Sequence, residues 1–204
     1  MFGLTDTEIK IFKPLNTPRK IQAFLNTIPI NFEPRGDTCL SPRMVLQQNR
    51  AHCIEGAMLA AVALRMHGYP PLLVDLTTSK DDFDHVVAVF QQDGHWGAIS
   101  KTNHAVLRYR DPIYKSIREL VMSYFHEYFD PKGKKTLRYF TDPVDLSVLD
   151  HKGWITASKD VWYVPTHLGK VKHYPILTRR QIALLKKPDL VEMKYGDLVE
   201  WEKK

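Results

Sequence analysis

Residues 50–76, RAHCIEGAMLAAVALRMHGYPPLLVDL, are the stretch on which the fold turns. Over residues 54–64 only Glu55 is charged, and Ala57, Ala60, Ala61 and Ala63 place small side chains on every side of the helix that this composition predicts. A helix that is apolar all round offers no face to water, so it is expected at the centre of the protein. Gly68 suits the left-handed position that closes a helix, and Pro70 and Pro71 forbid continuation. Leu72, Leu73 and Val74 then read as a buried strand.

Downstream, DHVVAVF (residues 84–90) and HWGAIS (residues 95–100) read as two further strands, and the QDG turn between them predicts an antiparallel hairpin. The hairpin leaves through the polar residues Lys101, Thr102 and Asn103. Pro112 is expected to open a helix, because Ile113, Ile117, Leu120, Val121, Tyr124 and Phe125 keep helical spacing as far as about residue 128. A last amphipathic helix is expected over residues 178–187, before Pro188. Upstream, Thr17-Pro18 and Ser41-Pro42 are N-cap and first-turn pairs for two short helices.

The chain has 204 residues, 44% hydrophobic and 25% charged, proportions of a globular protein rather than a disordered or collagenous one. At this length folding removes roughly 70% of the unfolded chain's surface from water, so a core forms without metal or disulfide staples. Cys39 and Cys53 are the two cysteines, and neither sits in a CxxC or a Cys/His cluster of zinc-site spacing. Without a signal-like start or an apolar run long enough to span a bilayer, a cytoplasmic protein with no membrane association is expected. Residues 132–187 hold 12 Lys or Arg against 4 Asp, a local charge of +8, and the whole chain carries +6. Two units are therefore expected: residues 1–130 as the core and residues 131–204 as a basic C-terminal extension packed on it.

A nucleophilic thiol needs a thiolate at neutral pH, a base in hydrogen-bonding reach and donors for the oxyanion. Cys53 opens the central helix, where unpaired N–H groups and the helix dipole favour negative charge. His85, at the start of a later strand, is the candidate base. Read singly, the cysteine is as well explained as a small buried side chain and the histidine as a satisfied polar one. Together and in this order they point to acyl chemistry.

Here the sequence resembles the transglutaminase-like superfamily of cysteine enzymes, which includes arylamine acetyltransferases and is distantly related to papain-like proteases. The resemblance covers residues 39–103, about a third of the chain, and rests on Cys53 with the helix behind it, the LLVDL strand and the hairpin. It implies an α+β fold in which a central buried helix packs on a small antiparallel sheet. It also implies a cysteine acyl-transfer enzyme, an amide hydrolase or protease or a transglutaminase-type enzyme, with no cofactor and no metal. Cys53, Gly68, Pro70 and His85 match the family's positions.

The third member departs from the family pattern. The family places an Asp about four residues past a Trp on the strand after the histidine strand, and counting from Trp96 gives Ser100. Asn103, at the strand exit, is the leading candidate to orient the imidazole. Asp111 and Ser100 are the alternatives, Asp111 reading more simply as a helix cap beside Pro112. Gln47 has the spacing of a papain-type oxyanion glutamine. His52 and Glu55 flank the cysteine, but adjacent helical positions point elsewhere, and neither receives a role. A peptide or protein amide is the expected substrate, an acidic one if the basic third selects it. Two readings compete with the enzyme: a binding module of the same fold with a spent triad, and a nucleic-acid binder stacking bases on Trp154, Trp162, Tyr163 and Tyr174 among the lysines.

Overall fold

The computed structural model describes residues 1–80 and 82–202. Three helices lead in: α1 (Asp6–Phe12), α2 (Pro18–Thr27) and α3 (Pro42–Gln48), each capped by a hydroxyl side chain, Thr5, Thr17 and Ser41 in turn. The central helix α4 (Cys53–Met66) follows, buried continuously from Ile54 to Leu64. Gly68 closes it with φ +87°, as the sequence predicts. The strands are β1 (Leu72–Thr78), β2 (His85–Gln92), β3 (His95–Ile99), β4 (Arg110–Tyr114), β5 (Leu137–Thr141), β6 (Val144–Asp145) and β7 (His173–Pro175). Helix α5 (Ile117–Met122) lies between β4 and β5, α6 (Tyr163–Leu168) precedes β7, and α7 (Arg179–Ala183) and α8 (Leu190–Gly196) end the chain.

The strands form one antiparallel sheet in the order β4-β3-β2-β1-β5-β7, with β6 pairing the start of β1. The molecule is thus α+β, with a central buried helix against an antiparallel sheet. Both faces of the sheet are covered, which is why β1 and β2 read as nearly continuous apolar runs. Leu73, Val86, Ala88, Phe90 and Ile99 pack into one core with α4 and the N-terminal helices. Val74, Leu76, Val87, Val89 and Ala98 pack into the other with Leu120 and Val121 of α5, Tyr124 and Phe125.

One expectation changes. Pro112 lies inside the edge strand β4, at an irregularity between the Trp96–Tyr114 and Ala98–Arg110 pairs, where a missing N–H breaks no ladder bond. The helix instead starts at Ile117 under the Ser116 cap. Residues 131–204 supply β5, β6 and β7 to the same sheet as β1. Trp154 of this region is fully buried in the α4 core, and Tyr174 packs on Phe140. Trp162, at 48% exposure, is the outward-facing member of the four aromatics expected to stack on bases. Among the described residues, no helix is long and apolar enough to cross a membrane.

Candidate active site

Cys53 is the first residue of α4 and is half-buried on the floor of a cleft of about 600 Å³. The rigidity of its setting comes from close packing behind it. Gly56, one turn below, lies under Lys101 so closely that a Cβ there would sit 2.4 Å from the Lys101 Cβ. The Lys101 side chain runs through this buried seam, and its amine donates to the Leu25 and Ile28 carbonyls at the end of α2. Burial pulls that amine down to about 8. The β3 exit is in this way tied to both α2 and α4.

His85 begins β2, paired across to Leu76 of β1, and also lines the cleft. Its Nε2 lies 2.8 Å from Ser100 Oγ. The Ser100 hydroxyl, in turn, donates to the Leu107 carbonyl at 2.5 Å. A hydroxyl has one proton, and here it is committed to Leu107, so Ser100 must accept from His85 and the Nε2 must carry hydrogen. This leaves Nδ1 as the nitrogen for the thiol. Gln22 of α2 clasps Ser100 from behind, its Oε1 accepting from the Ser100 N–H and its amide donating to the Ser100 carbonyl, both at 2.9 Å.

Asn103 does not reach His85. Its amide donates to the Trp201 carbonyl and its oxygen accepts from the Trp201 N–H, each at 2.9 Å, while its own carbonyl takes the Glu200 N–H. It holds the C-terminal tail against the cleft wall. Asp111 is exposed on β4, and Gln47 is exposed near the end of α3 and does not line the cleft. Of the four residues weighed for orientation or the oxyanion, the structure brings only Ser100 to the pair.

What sequence reasoning missed lies beside the cysteine. His52 is the N-cap of α4, and Glu55, fully buried, reaches back to the His52 N–H at 2.9 Å. The Glu55 carboxylate also accepts from the Leu40 N–H and Thr38 hydroxyl, both at 2.8 Å, and from the Asn31 amide. The His52 Nε2 lies 3.0 Å from the Thr38 carbonyl, 3.3 Å from Glu55 Oε1 and 3.6 Å from Glu33 Oε1. A signal was present in the sequence: a lone carboxylate on a wholly apolar helix must be paired, and three residues before it stands His52.

The electrostatics follow. Burial alone would raise the Cys53 thiol, but hydrogen bonds from His52 and His85 outweigh it and bring it down to about 5. Burial opposes charge on His52, and its hydrogen bonds to Cys53 and Glu55 overcome this and carry it up to about 11. Glu55 likewise falls to about 2, burial being offset first by His52. Cys39 has no such partner, and burial pushes it up to about 12. Asp75 on β1, 3.4 Å from His173 Nε2, is pushed up to about 6, chiefly by burial.

Among the described residues, Asp82, Asp84, Glu127, Asp130 and Asp197 line the cleft, and the basic residues of 132–187 are absent from its lining. Selection of an acidic peptide by that basic segment therefore has no counterpart in the cleft itself. No protein-family model matches the chain, and no curated protein matches it.

Proposed function

We propose that this cleft is the active site of a cysteine acyl-transfer enzyme with a transglutaminase-like arrangement. The observation that carries the reading is a thiol in the first turn of a buried helix beside an imidazole whose far nitrogen is pinned as a donor to Ser100. His85 takes the thiol proton on Nδ1, and the thiolate attacks the carbonyl carbon of an amide or thioester. The first-turn N–H groups of α4 face the developing oxyanion, in the role for which Gln47 was a candidate. His85 returns the proton to the leaving nitrogen or sulfur as its bond to carbon breaks. The resulting acyl-cysteine is resolved by water or an amine, His85 again serving as base. Water gives hydrolysis and an amine gives transfer. Ser100 fixes the tautomer and direction of the imidazole as a carboxylate would, but it adds no charge to hold the imidazolium.

The test is to incubate the full chain with a p-nitrophenyl ester or a small thioester and map adducts by mass spectrometry. An acyl group on Cys53, absent in His85→Ala and diverted to an added primary amine or to water, supports the reading. Product formation without an acyl-Cys53, or labelling equal to that of the unfolded chain, overturns it and leaves a binding module of the same fold.

A further inference from the structure

We propose that Glu127 is a positioning residue of this site, which sets the working tautomer of His85 through Leu107 and Ser100. This rests on the acyl-transfer reading and accounts for the committed proton of Ser100. The chain of contacts is continuous. The His85 Nε2–H donates to Ser100 Oγ at 2.8 Å, the Ser100 hydroxyl to the Leu107 carbonyl at 2.5 Å, and the Leu107 N–H to Glu127 Oε2 at 2.7 Å. His85, Leu107 and Glu127 all line the cleft that holds Cys53. Leu107 is the bend in this chain: its φ is +61°, in the left-handed region that a leucine rarely occupies. Such a conformation persists only where its surroundings over-determine it, and it gathers at functional sites. Here it is held at both ends, its N–H by a carboxylate and its carbonyl by a buried hydroxyl.

Glu127 is itself fixed. It ends the short 3-10 turn Phe125–Glu127, its N–H donates to the Tyr124 carbonyl, and the same Oε2 takes the Arg110 guanidinium at 2.7 Å. Arg110 in turn donates to the Ser123 Oγ at 2.9 Å and lies over the Tyr124 ring, 4.1 Å from its centre. The carboxylate is therefore braced by β4 and by the turn that follows α5. Arg110 balances its charge, so what passes to His85 is geometry. With the Leu107 N–H anchored, the Leu107 carbonyl stays aimed at Ser100, the hydroxyl keeps its proton there, and the imidazole must donate from Nε2. Nδ1 is left for the thiol proton. Without the anchor, Leu107 is able to relax to negative φ, which turns its carbonyl away. The Ser100 hydroxyl then rotates, donates to His85 as readily as it accepts, and both tautomers are populated. In a triad a carboxylate beside the histidine does this by direct contact; here the carboxylate stands further back and acts through the hydroxyl.

The test combines two readouts on the full chain, for Glu127→Ala and Glu127→Asp, with circular dichroism reporting that each is folded. Asp keeps a charge for the long Arg110 side chain but is a methylene short of the Leu107 N–H, so it removes the anchor and retains the ion pair. The first readout is the ring nitrogen-15 spectrum of histidine-labelled protein carrying Cys53→Ser, in which no thiolate charges the ring, at a pH where the rings are neutral. His85 is assigned by the signals lost on His85→Ala. A protonated Nε2 and a bare Nδ1 are expected with Glu127 present, and a mixture of tautomers when it is replaced. The second readout is kcat for thioester turnover, expected to fall about three- to tenfold with KM fixed. Because Glu127 acts through Ser100, replacing it in Ser100→Ala should change kcat by less than about twofold, a coupling that a merely structural defect does not show. An unshifted His85 tautomer in both folded variants overturns the proposal. So does a further loss of kcat on top of Ser100→Ala, or a change confined to KM, either of which places the effect of Glu127 elsewhere. If wild type forms no acyl-Cys53, the acyl-transfer reading fails, while the ring spectra still decide whether Glu127 sets the tautomer.

Discussion

Ser100→Ala removes one oxygen from the site and isolates what it does. In the native protein this oxygen accepts from the His85 Nε2–H at 2.8 Å and donates to the Leu107 carbonyl at 2.5 Å, with Ser100 only 2% exposed. The substitution leaves a buried donor and a buried acceptor unpaired, each costing about 1–3 kcal/mol. A loss of about 2–4 kcal/mol of folding stability is expected, because the strand exit remains clasped by Gln22 and only partial relaxation is open to it. The imidazole also loses its tautomer constraint. Nδ1 is then protonated in part of the neutral population, and the ring is free to turn. A fall in kcat of about ten- to a hundredfold, or about 1.4–2.7 kcal/mol of barrier, is expected with KM unchanged. Urea unfolding gives the first quantity and steady-state turnover of a thioester the second. Ser100→Asp is not expected to rescue: its carboxylate would face the Leu107 carbonyl with no proton between them. Wild-type kcat in Ser100→Ala, in a folded protein, would refute the relay.

Three further expectations test the scaffold. Gly56→Ala places a methyl group 2.4 Å from the Lys101 Cβ and 2.9 Å from its Cγ, atoms close to the backbone that cannot swing aside, so a loss of about 1–3 kcal/mol is expected in urea unfolding. Asn103→Ala should free the tail, speeding proteolysis within residues 188–202, while leaving the Cys53 alkylation profile unmoved, since Asn103 bonds Trp201 and Glu200 rather than His85. Glu8 is held down to about 2, first by its hydrogen bond to Arg43, which lies 2.7 Å away and joins α1 to α3. A carboxyl lowered in the folded state stabilises above its unfolded value of about 4.3 and loses that contribution as pH falls through the folded one. Acid unfolding of Glu8→Gln should therefore show a shallower loss of stability between about pH 4.3 and about pH 2 than wild type does.

The elements legible in the sequence were those decided by local composition. An all-apolar helix ending in Gly68 and two prolines admits few readings, and the QDG hairpin follows from its turn residues alone. Where the chain was misread, the deciding contact lay far away in sequence. Ser100 rather than Asn103 meets His85 because Gln22, 78 residues earlier, holds the backbone at the strand exit, and Asn103 is drawn off by Trp201, 98 residues later. Pro112 reads as a helix start by its neighbours' spacing, and becomes an edge-strand residue only because β3 lies beside it. Strands β5 and β7 are short, with no alternation long enough to be seen, and they exist as partners of β1 and of each other. His52 was set aside by the rule that adjacent helical positions diverge. The rule does not hold at an N-cap, whose backbone is extended (φ −96°, ψ −171°) and whose side chain can return over the first turn.

The most direct measurement is the pH dependence of Cys53 alkylation by iodoacetamide in the native wild-type chain, with Cys39 in the same molecule as reference. The account predicts an apparent pKa near 5 for Cys53, with Cys39 unreactive until the protein unfolds. A Cys53 profile centred at the ordinary thiol value of about 8.5, or a Cys53 that resists alkylation until unfolding as Cys39 does, would contradict it.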